Sequence, residues 1–147
     1  MRRLVLCLAV ALLLGPVRQA VGADSPSPYT APDLSAARAK IKAKDFAGAL
    51  ALMRPMLNTT IHADLFNLMG FSLRKTGDRT QAFVYYQKAL ALQPDHVGAL
   101  EYQGELYVET GQIDKARANA AHLKRLCPKG CEELEDLEAA IAKAPKS

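Results

Sequence analysis

The chain has 147 residues, half of them apolar, with no Trp and a formal net charge of +4 at pH 7. This length gives room for about one domain, and the abundance of Ala and Leu favours packed helices over sheets, because strands are enriched in β-branched and aromatic residues. Without the first 23 residues the chain has 16 basic and 15 acidic residues. That balance argues against a nucleic-acid partner, since proteins that bind nucleic acids concentrate basic residues on one face.

The N-terminus has the layout of a secretory signal peptide. Arg2 and Arg3 precede an uninterrupted apolar run at residues 4–14, and small residues follow at 20–23. The apolar run has about half of the roughly 20 residues that a membrane-spanning helix needs. The pattern predicts a cleaved signal peptide at 1–23, so we expect an exported protein, periplasmic in a bacterium or else secreted, without membrane insertion after cleavage. An uncleaved anchor is the alternative.

The segment that follows, residues 24–33, reads DSPSPYTAPD and has little apolar content. Its prolines and small polar residues predict a flexible spacer. The predicted helical part of the chain therefore begins at about residue 34.

Two segments of equal length, residues 63–96 and residues 97–130, align with each other at an offset of 34. Four special positions match at this offset: Gly70 with Gly104, Gly77 with Gly111, Ala82 with Ala116, and Pro94 with Pro128. Each unit is predicted to form two helices, joined by a glycine-containing turn and ended by proline. A helix pair cannot bury its apolar face alone, so the units are expected to stack.

Both units resemble tetratricopeptide repeats in their period, the Gly of the first helix, the Ala–aromatic–Ala spacing and the terminal Pro. The second of them departs from the family pattern at Ala120, where a large residue is usual. Residues 34–62 resemble a degenerate first repeat, in which Lys44-Asp45 aligns with Gly77-Asp78. The resemblance implies an all-α fold, a short α-α solenoid of about three helix-turn-helix repeats. Its expected ranges are 34–62, 63–96 and 97–128, which together form the repeat domain 34–128.

A last amphipathic segment follows the repeats. In residues 131–143, Leu134, Leu137 and Ile141 share one helical face, and acidic residues lie off it. Acidic residues in a first turn suit the positive end of a helix. The segment is therefore predicted to be a capping helix, with one apolar and one polar side.

Cys127 and Cys131 flank the sequence Pro-Lys-Gly, between the last repeat helix and the predicted cap. Cleavage of the signal peptide would remove Cys7 and leave only this pair. Two cysteines in an exported protein favour a disulfide, and the four-residue spacing allows the side chains to meet if the turn folds back. A thiol-redox or metal-handling accessory protein stays open as an alternative. It is disfavoured because neither the two-residue redox spacing nor the repeated ligand spacing of zinc sites occurs.

The sequence contains no recognisable catalytic motif. Its three histidines, His62, His96 and His122, form no HExxH, and no GxSxG or phosphate-binding glycine loop is found. His62 and His96 precede the first helices of successive units, so a turn or cap role is favoured over a catalytic base. We therefore expect no enzyme activity, no cofactor and no metal site.

The resemblance implies that the first helix of each repeat lines a concave groove that holds a segment of a protein or peptide partner. The usual groove positions correspond here to Asn67, Phe71, Arg74, Lys75, Glu101, Tyr102, Glu105 and Glu109. Phe71 and Tyr102 would be aromatic anchors, the kind of residue that carries binding energy. The Lys and Asn arrangement by which some family members bind a C-terminal carboxylate is not reproduced.

These positions also imply a charge pattern. Arg74 and Lys75 are expected to form a basic patch beside an acidic stripe on the next repeat, which favours a partner segment of mixed charge. The resemblance thus predicts a non-catalytic scaffold or adaptor in the cell envelope. The alternative is a self-assembling structural module, a homo-oligomer in which a neighbouring subunit fills the groove.

Overall fold

The computed structural model of the protein describes residues 31–145, and this part of the chain is all-α, as expected. It contains seven α-helices and one short 3-10 helix, Pro55–Asn58, but no strand. The α-helices are α1 (Ser35–Lys42), α2 (Phe46–Met53), α3 (Ala63–Lys75), α4 (Arg79–Leu92), α5 (Val97–Glu109), α6 (Ile113–Leu126) and α7 (Glu132–Lys143). The predicted signal peptide at 1–23 and most of the spacer at 24–33 lie outside the described residues.

The helices stack as consecutive pairs, α1 with α2, α3 with α4 and α5 with α6. Successive pairs are joined by contacts of α2 with α3 and of α4 with α5, while α7 packs on both α5 and α6. This arrangement confirms the short solenoid with a C-terminal capping helix. Within residues 31–145, none of the helices has the length and apolar content needed to cross a membrane.

The same turn joins the two helices of each pair, and it requires one residue in the left-handed region. That residue is Gly77 at φ 96°, Gly111 at φ 75° and, in the degenerate repeat, Lys44 at φ 60°. In each turn the next backbone N–H returns to the last turn of the preceding helix, as from Asp78 to the Leu73 carbonyl at 2.9 Å. The left-handed conformation of Lys44 costs about 1–2 kcal/mol, because its Cβ crowds the following carbonyl.

Histidines begin the first helices of both full repeats, which confirms the cap interpretation. His62 Nδ1 accepts the backbone N–H of Asp64 at 3.2 Å, and His96 Nδ1 accepts that of Ala99 at 3.1 Å. Nε2 of the largely buried His96 lies 2.9 Å from Asp64 Oδ1. The ring therefore links the first turns of α3 and α5.

The glycine of each first helix makes room for a bulky side chain. A Cβ on Gly70 would lie 2.6 Å from the ring of Tyr86, which is fully buried on α4. The residue equivalent to Tyr86 in the next repeat is Ala120, and Leu137 of α7 occupies the space beside Gly104 instead. A Cβ on Gly104 would lie 2.6 Å from Leu137 Cδ2. Helix α7 therefore completes the core of the last repeat.

The predicted cysteine pair lies at the junction of α6 and α7. Cys127 follows the last residue of α6, and Cys131 is the residue before α7. Their Cα atoms are 5.8 Å apart and their Sγ atoms are in contact, an arrangement that accommodates a disulfide. Within residues 31–145, no group of three His, Cys, Asp or Glu side chains is arranged to hold a metal ion.

Candidate functional site

A row of partly exposed aromatic rings crosses the helices that carry the predicted groove residues. Phe71 on α3 and Tyr102 on α5 lie with their ring centroids 4.7 Å apart, and Phe46 of α2 meets Phe71 edge-on at 5.9 Å. Such pairs contribute roughly 0.5–1.5 kcal/mol beyond the area they bury. The rings both hold neighbouring repeats together and offer an apolar surface to a ligand.

Arg74 does not contribute to an exposed basic patch, and this part of the sequence prediction is wrong. Its side chain is 3% exposed, and Nη2 donates to the Glu105 carboxylate. Nη1 donates to the Tyr102 carbonyl at 3.2 Å, and Glu109 lies 3.8 Å from Nε. Burial lowers the pKa of the guanidinium, but Tyr86, Glu105 and Glu109 outweigh it, so the pKa is raised and Arg74 is cationic. The expected basic and acidic patches therefore meet in an ion pair between α3 and α5.

Lys75, in contrast, is exposed. Its Nζ lies 5.2 Å from the centroid of the Phe71 ring, within the range of a cation–π interaction. The guanidinium carbon of Arg74 is 5.9 Å from the centroids of both Phe71 and Tyr102. The aromatic pair is thus flanked by one buried and one exposed cation.

Glu101 is the most unusual titratable group of the site. The residue is only 7% exposed, yet its carboxyl group forms no hydrogen bond or ion pair with any residue in the range 31–145. Burial is the main cause that raises its pKa to about 8, and Glu105, Asp136 and Glu133 raise it as well. Arg74 acts in the opposite direction. Glu101 therefore lies among three other carboxylates, two of them on α7.

Asn67 occupies the position equivalent to Glu101 one repeat earlier. It is 6% exposed, and Oδ1 is buried without a hydrogen-bond partner among the described residues. Its Nδ2 adjoins Gly98 in the first turn of α5, where a Cβ would lie 3.1 Å away. An acceptor buried without a donor is costly in a folded protein, so Asn67 Oδ1 is an unfavourable feature of α3.

The structure therefore brings the predicted residues together along α3 and α5, but it adds three that the sequence interpretation missed. Phe46 extends the aromatic row, while Glu133 and Asp136 of α7 add charge beside Glu101. The sequence pattern places the acidic residues of α7 only on the polar side of a cap. If α7 is treated as the first helix of a further repeat, packed against α5, the same residues are predicted to lie at the groove.

The stacked helix pairs define a helical-repeat protein, and their first helices carry the predicted groove residues. Residues 73–141 match the family model described as tetratricopeptide repeat. A curated relative, "Uncharacterized protein ycf37" of Pyropia yezoensis, is 31% identical over 61 residues, which make up 42% of this chain and 34% of that protein. The chain thus aligns with about a third of the length of the curated relative it matches. The matched region, residues 73–141, is therefore assigned to the tetratricopeptide repeat family.

Proposed function

We propose that the protein is a non-catalytic scaffold that binds a segment of a partner protein along α3, α5 and α7. The observation that carries this proposal is the aromatic pair of Phe71 and Tyr102, which is partly exposed at positions where the family binds its partners. Aromatic side chains supply much of the binding energy at interfaces, because they bury large areas at a low cost in side-chain entropy.

An ion pair next to the rings links α3 to α5 and so favours a preformed surface. Arg74 is held by Glu105, by the backbone of Tyr102 and by the charge of Glu109, so α3 and α5 keep a fixed separation. A preformed surface loses little conformational entropy when a ligand binds, which favours affinity. The charges that face a partner are then Lys75 and the carboxylates of α5 and α7.

The proposed location is the cell envelope or the extracellular space. The signal-peptide pattern of residues 1–23 supports export, and a cysteine pair poised for a disulfide suits an oxidising compartment. Intact mass measurement of the protein from its native location tests this point. The expected N-terminus is Ala23 or Asp24, whereas a retained Met1 would contradict cleavage.

Site-specific photocrosslinking tests the binding surface. A photoreactive phenylalanine analogue replaces Lys75 on α3 or Asp136 on α7, both exposed, in the cells that produce the protein. Gln87, on the exposed face of α4, is the control position. We expect one discrete protein adduct from both groove positions and none from Gln87. Equal adducts from all three positions, or none from the groove, would contradict the proposal.

A further inference from the structure

The groove contains a buried acid that nothing in the described chain neutralises. Arg74 is the cation that acts on Glu101, and it is already engaged by Glu105 and Glu109. Buried charges in folded proteins are normally paired, because removing an ion from water costs several kcal/mol. The ionised form of Glu101 therefore has no free positive partner among residues 31–145, and in the free protein the carboxyl group stays largely protonated instead.

We propose that the partner segment inserts a Lys or Arg side chain beside Glu101, so that the groove selects basic segments. This inference rests on the proposed function of the groove and specifies the chemistry of its ligand. This inference replaces the prediction of a mixed-charge segment, because Arg74 is buried in an ion pair inside the protein and is not available to a partner.

The charges around the aromatic pair support this choice. Five carboxylates and two cations lie along the first helices of this region: Glu101, Glu105, Glu109, Glu133, Asp136, Arg74 and Lys75. Even with Glu101 protonated, four carboxylates lie beside two cations, so the surface is net negative. An acidic segment would meet repulsion from Glu133 and Asp136, whereas a basic one gains attraction and charge-assisted hydrogen bonds.

Asn67 is an unsatisfied polar side chain at the equivalent position one repeat earlier. Its Oδ1 has no hydrogen-bond donor in the described structure, and it occupies the same register on α3 as Glu101 does on α5. An ammonium or guanidinium group only donates hydrogen bonds and an ionised carboxylate only accepts them, so a Lys or Arg side chain matches Glu101.

The protonation state of Glu101 gives the inference a distinctive signature. Because burial and the neighbouring carboxylates raise the pKa of Glu101 to about 8, the group is largely protonated at pH 7 in the free protein. A bound cation favours the ionised carboxylate, so binding releases a proton. The affinity for a basic segment is then expected to rise from pH 6 to pH 8 and to level off above. The groups that face Glu101 in this titration are Glu105 on α5, Glu133 and Asp136 on α7, and Arg74 on α3.

Four pools of seven-residue peptides, acetylated and amidated, provide the test. The central residue is fixed as Lys, Arg, norleucine or Glu, and the other positions are randomised. Each pool is titrated against the purified protein, the Glu101→Gln variant and the Glu138→Gln variant. Glu138 is exposed on α7 beside Arg117 of α6, so its substitution removes one negative charge outside the groove.

We expect the Lys and Arg pools to bind the unmodified protein and Glu138→Gln about tenfold more tightly than the norleucine pool, as for a charge-assisted contact. Glu101→Gln should lose this preference while its helical circular dichroism is unchanged. For the Lys pool at pH 7, calorimetry in two buffers of different ionisation enthalpy should report about one proton released by the unmodified protein and none by Glu101→Gln.

The outcomes separate the two proposals. If all pools bind without preference for a basic centre, or if Glu101→Gln retains the preference, the basic-segment inference is wrong and the peptide-binding groove stands. If no pool binds the unmodified protein, the proposed function fails together with the inference.

Discussion

The repeat formed by α3 and α4 fills its own core, whereas the repeat formed by α5 and α6 uses a side chain from outside. In the first, Tyr86 of α4 packs against Gly70; in the second, Leu137 of α7 packs against Gly104. The difference arises because Ala120 stands where Tyr86 stands one repeat earlier, and its methyl group leaves space. A small residue in one helix is thus compensated by the approach of another helix.

This compensation also shapes the candidate site. Leu137 can reach Gly104 only if α7 lies close along α5. Glu133 lies one helical turn before Leu137, and Asp136 directly precedes Leu137 in the sequence. The approach of α7 to α5 therefore also brings both carboxylates towards Glu101. The acidic character of the groove is therefore a consequence of how the last repeat fills its core.

Substitution of Tyr86 by alanine should have the largest effect on stability, because it removes a fully buried ring from a repeat that has no substitute. We expect the free energy of unfolding to fall by about 4 kcal/mol, the usual range for truncating a buried aromatic residue. Urea denaturation followed by circular dichroism measures it. A loss below about 1 kcal/mol would mean that a neighbour fills the space here too.

Leu137→Ala tests the other half of the comparison. If α7 completes the core of the last repeat, the free energy of unfolding should fall by about 3 kcal/mol, since a buried leucine is lost and a cavity is left. Leu52→Ala, at a leucine on α2 that is 44% exposed, is the control and should change stability by less than about 0.5 kcal/mol. If Leu137→Ala and Leu52→Ala have equally small effects, α7 does not contribute to the core of the last repeat.

Reduction of the cysteine pair tests how α7 is held in place. In the chain-entropy model, closing so short a loop stabilises the folded protein by about 2 kcal/mol. We expect dithiothreitol to lower the urea midpoint of the protein accordingly. A Cys127→Ser/Cys131→Ser variant should start at the lower midpoint and not respond to the reductant. If dithiothreitol also lowers the urea midpoint of the double variant, the effect does not arise from the Cys127–Cys131 pair.

A size swap sharpens the comparison further. Ala120→Phe in the Leu137→Ala background restores a large side chain on α6, as Tyr86 provides on α4, and should recover about 1.5 kcal/mol. In the unmodified protein the same substitution should destabilise, because Leu137 already occupies the space beside Gly104. The sign of the effect should therefore reverse between the two backgrounds. The same sign in both would contradict the compensation.

The sequence alone predicted the local features of this fold better than it predicted the interactions of its charged residues. Gly77 and Gly111 predicted the turns, because a left-handed residue is a local requirement that glycine meets at little cost. The ion pair of Arg74 and Glu105 joins residues 31 positions apart. Their contact depends on the packing of α3 against α5, so the sequence showed two opposite charges but not that they neutralise each other.

The place of α7 illustrates the same limit. Its amphipathic pattern predicted a helix with one apolar face, and Leu134 and Leu137 on that face are buried. The departure at Ala120 was visible, but not the side chain that compensates for it. The neighbour of Gly104 is set by the tertiary approach of two helices, which no local pattern encodes.

Glu101→Gln is expected to have a smaller effect on stability, and one that depends on pH. The pKa of Glu101 lies above its ordinary value of 4.5, at about 8, so the folded protein binds more protons than the unfolded chain between these values. The free energy of unfolding therefore falls as pH rises from about 4.5 to 8, because folding keeps an acid neutral that would ionise in water. Glutamine does not titrate and does not share this loss.

The variant and the unmodified protein should therefore be equally stable near pH 4, and the variant should be more stable by about 1 kcal/mol at pH 8, after allowance for solvent screening at the proposed groove. Urea denaturation at pH 4, 6 and 8 measures the difference, with Glu138→Gln as the control for loss of one charge on exposed α7. A difference that grows with pH in Glu101→Gln alone would show that the free protein loses stability by keeping this acid buried. In the proposed complex a bound cation would recover that stability, so the same carboxyl group would weaken the free protein and strengthen its complex with a basic segment. A constant difference across the pH range would instead assign Glu101 to ordinary packing.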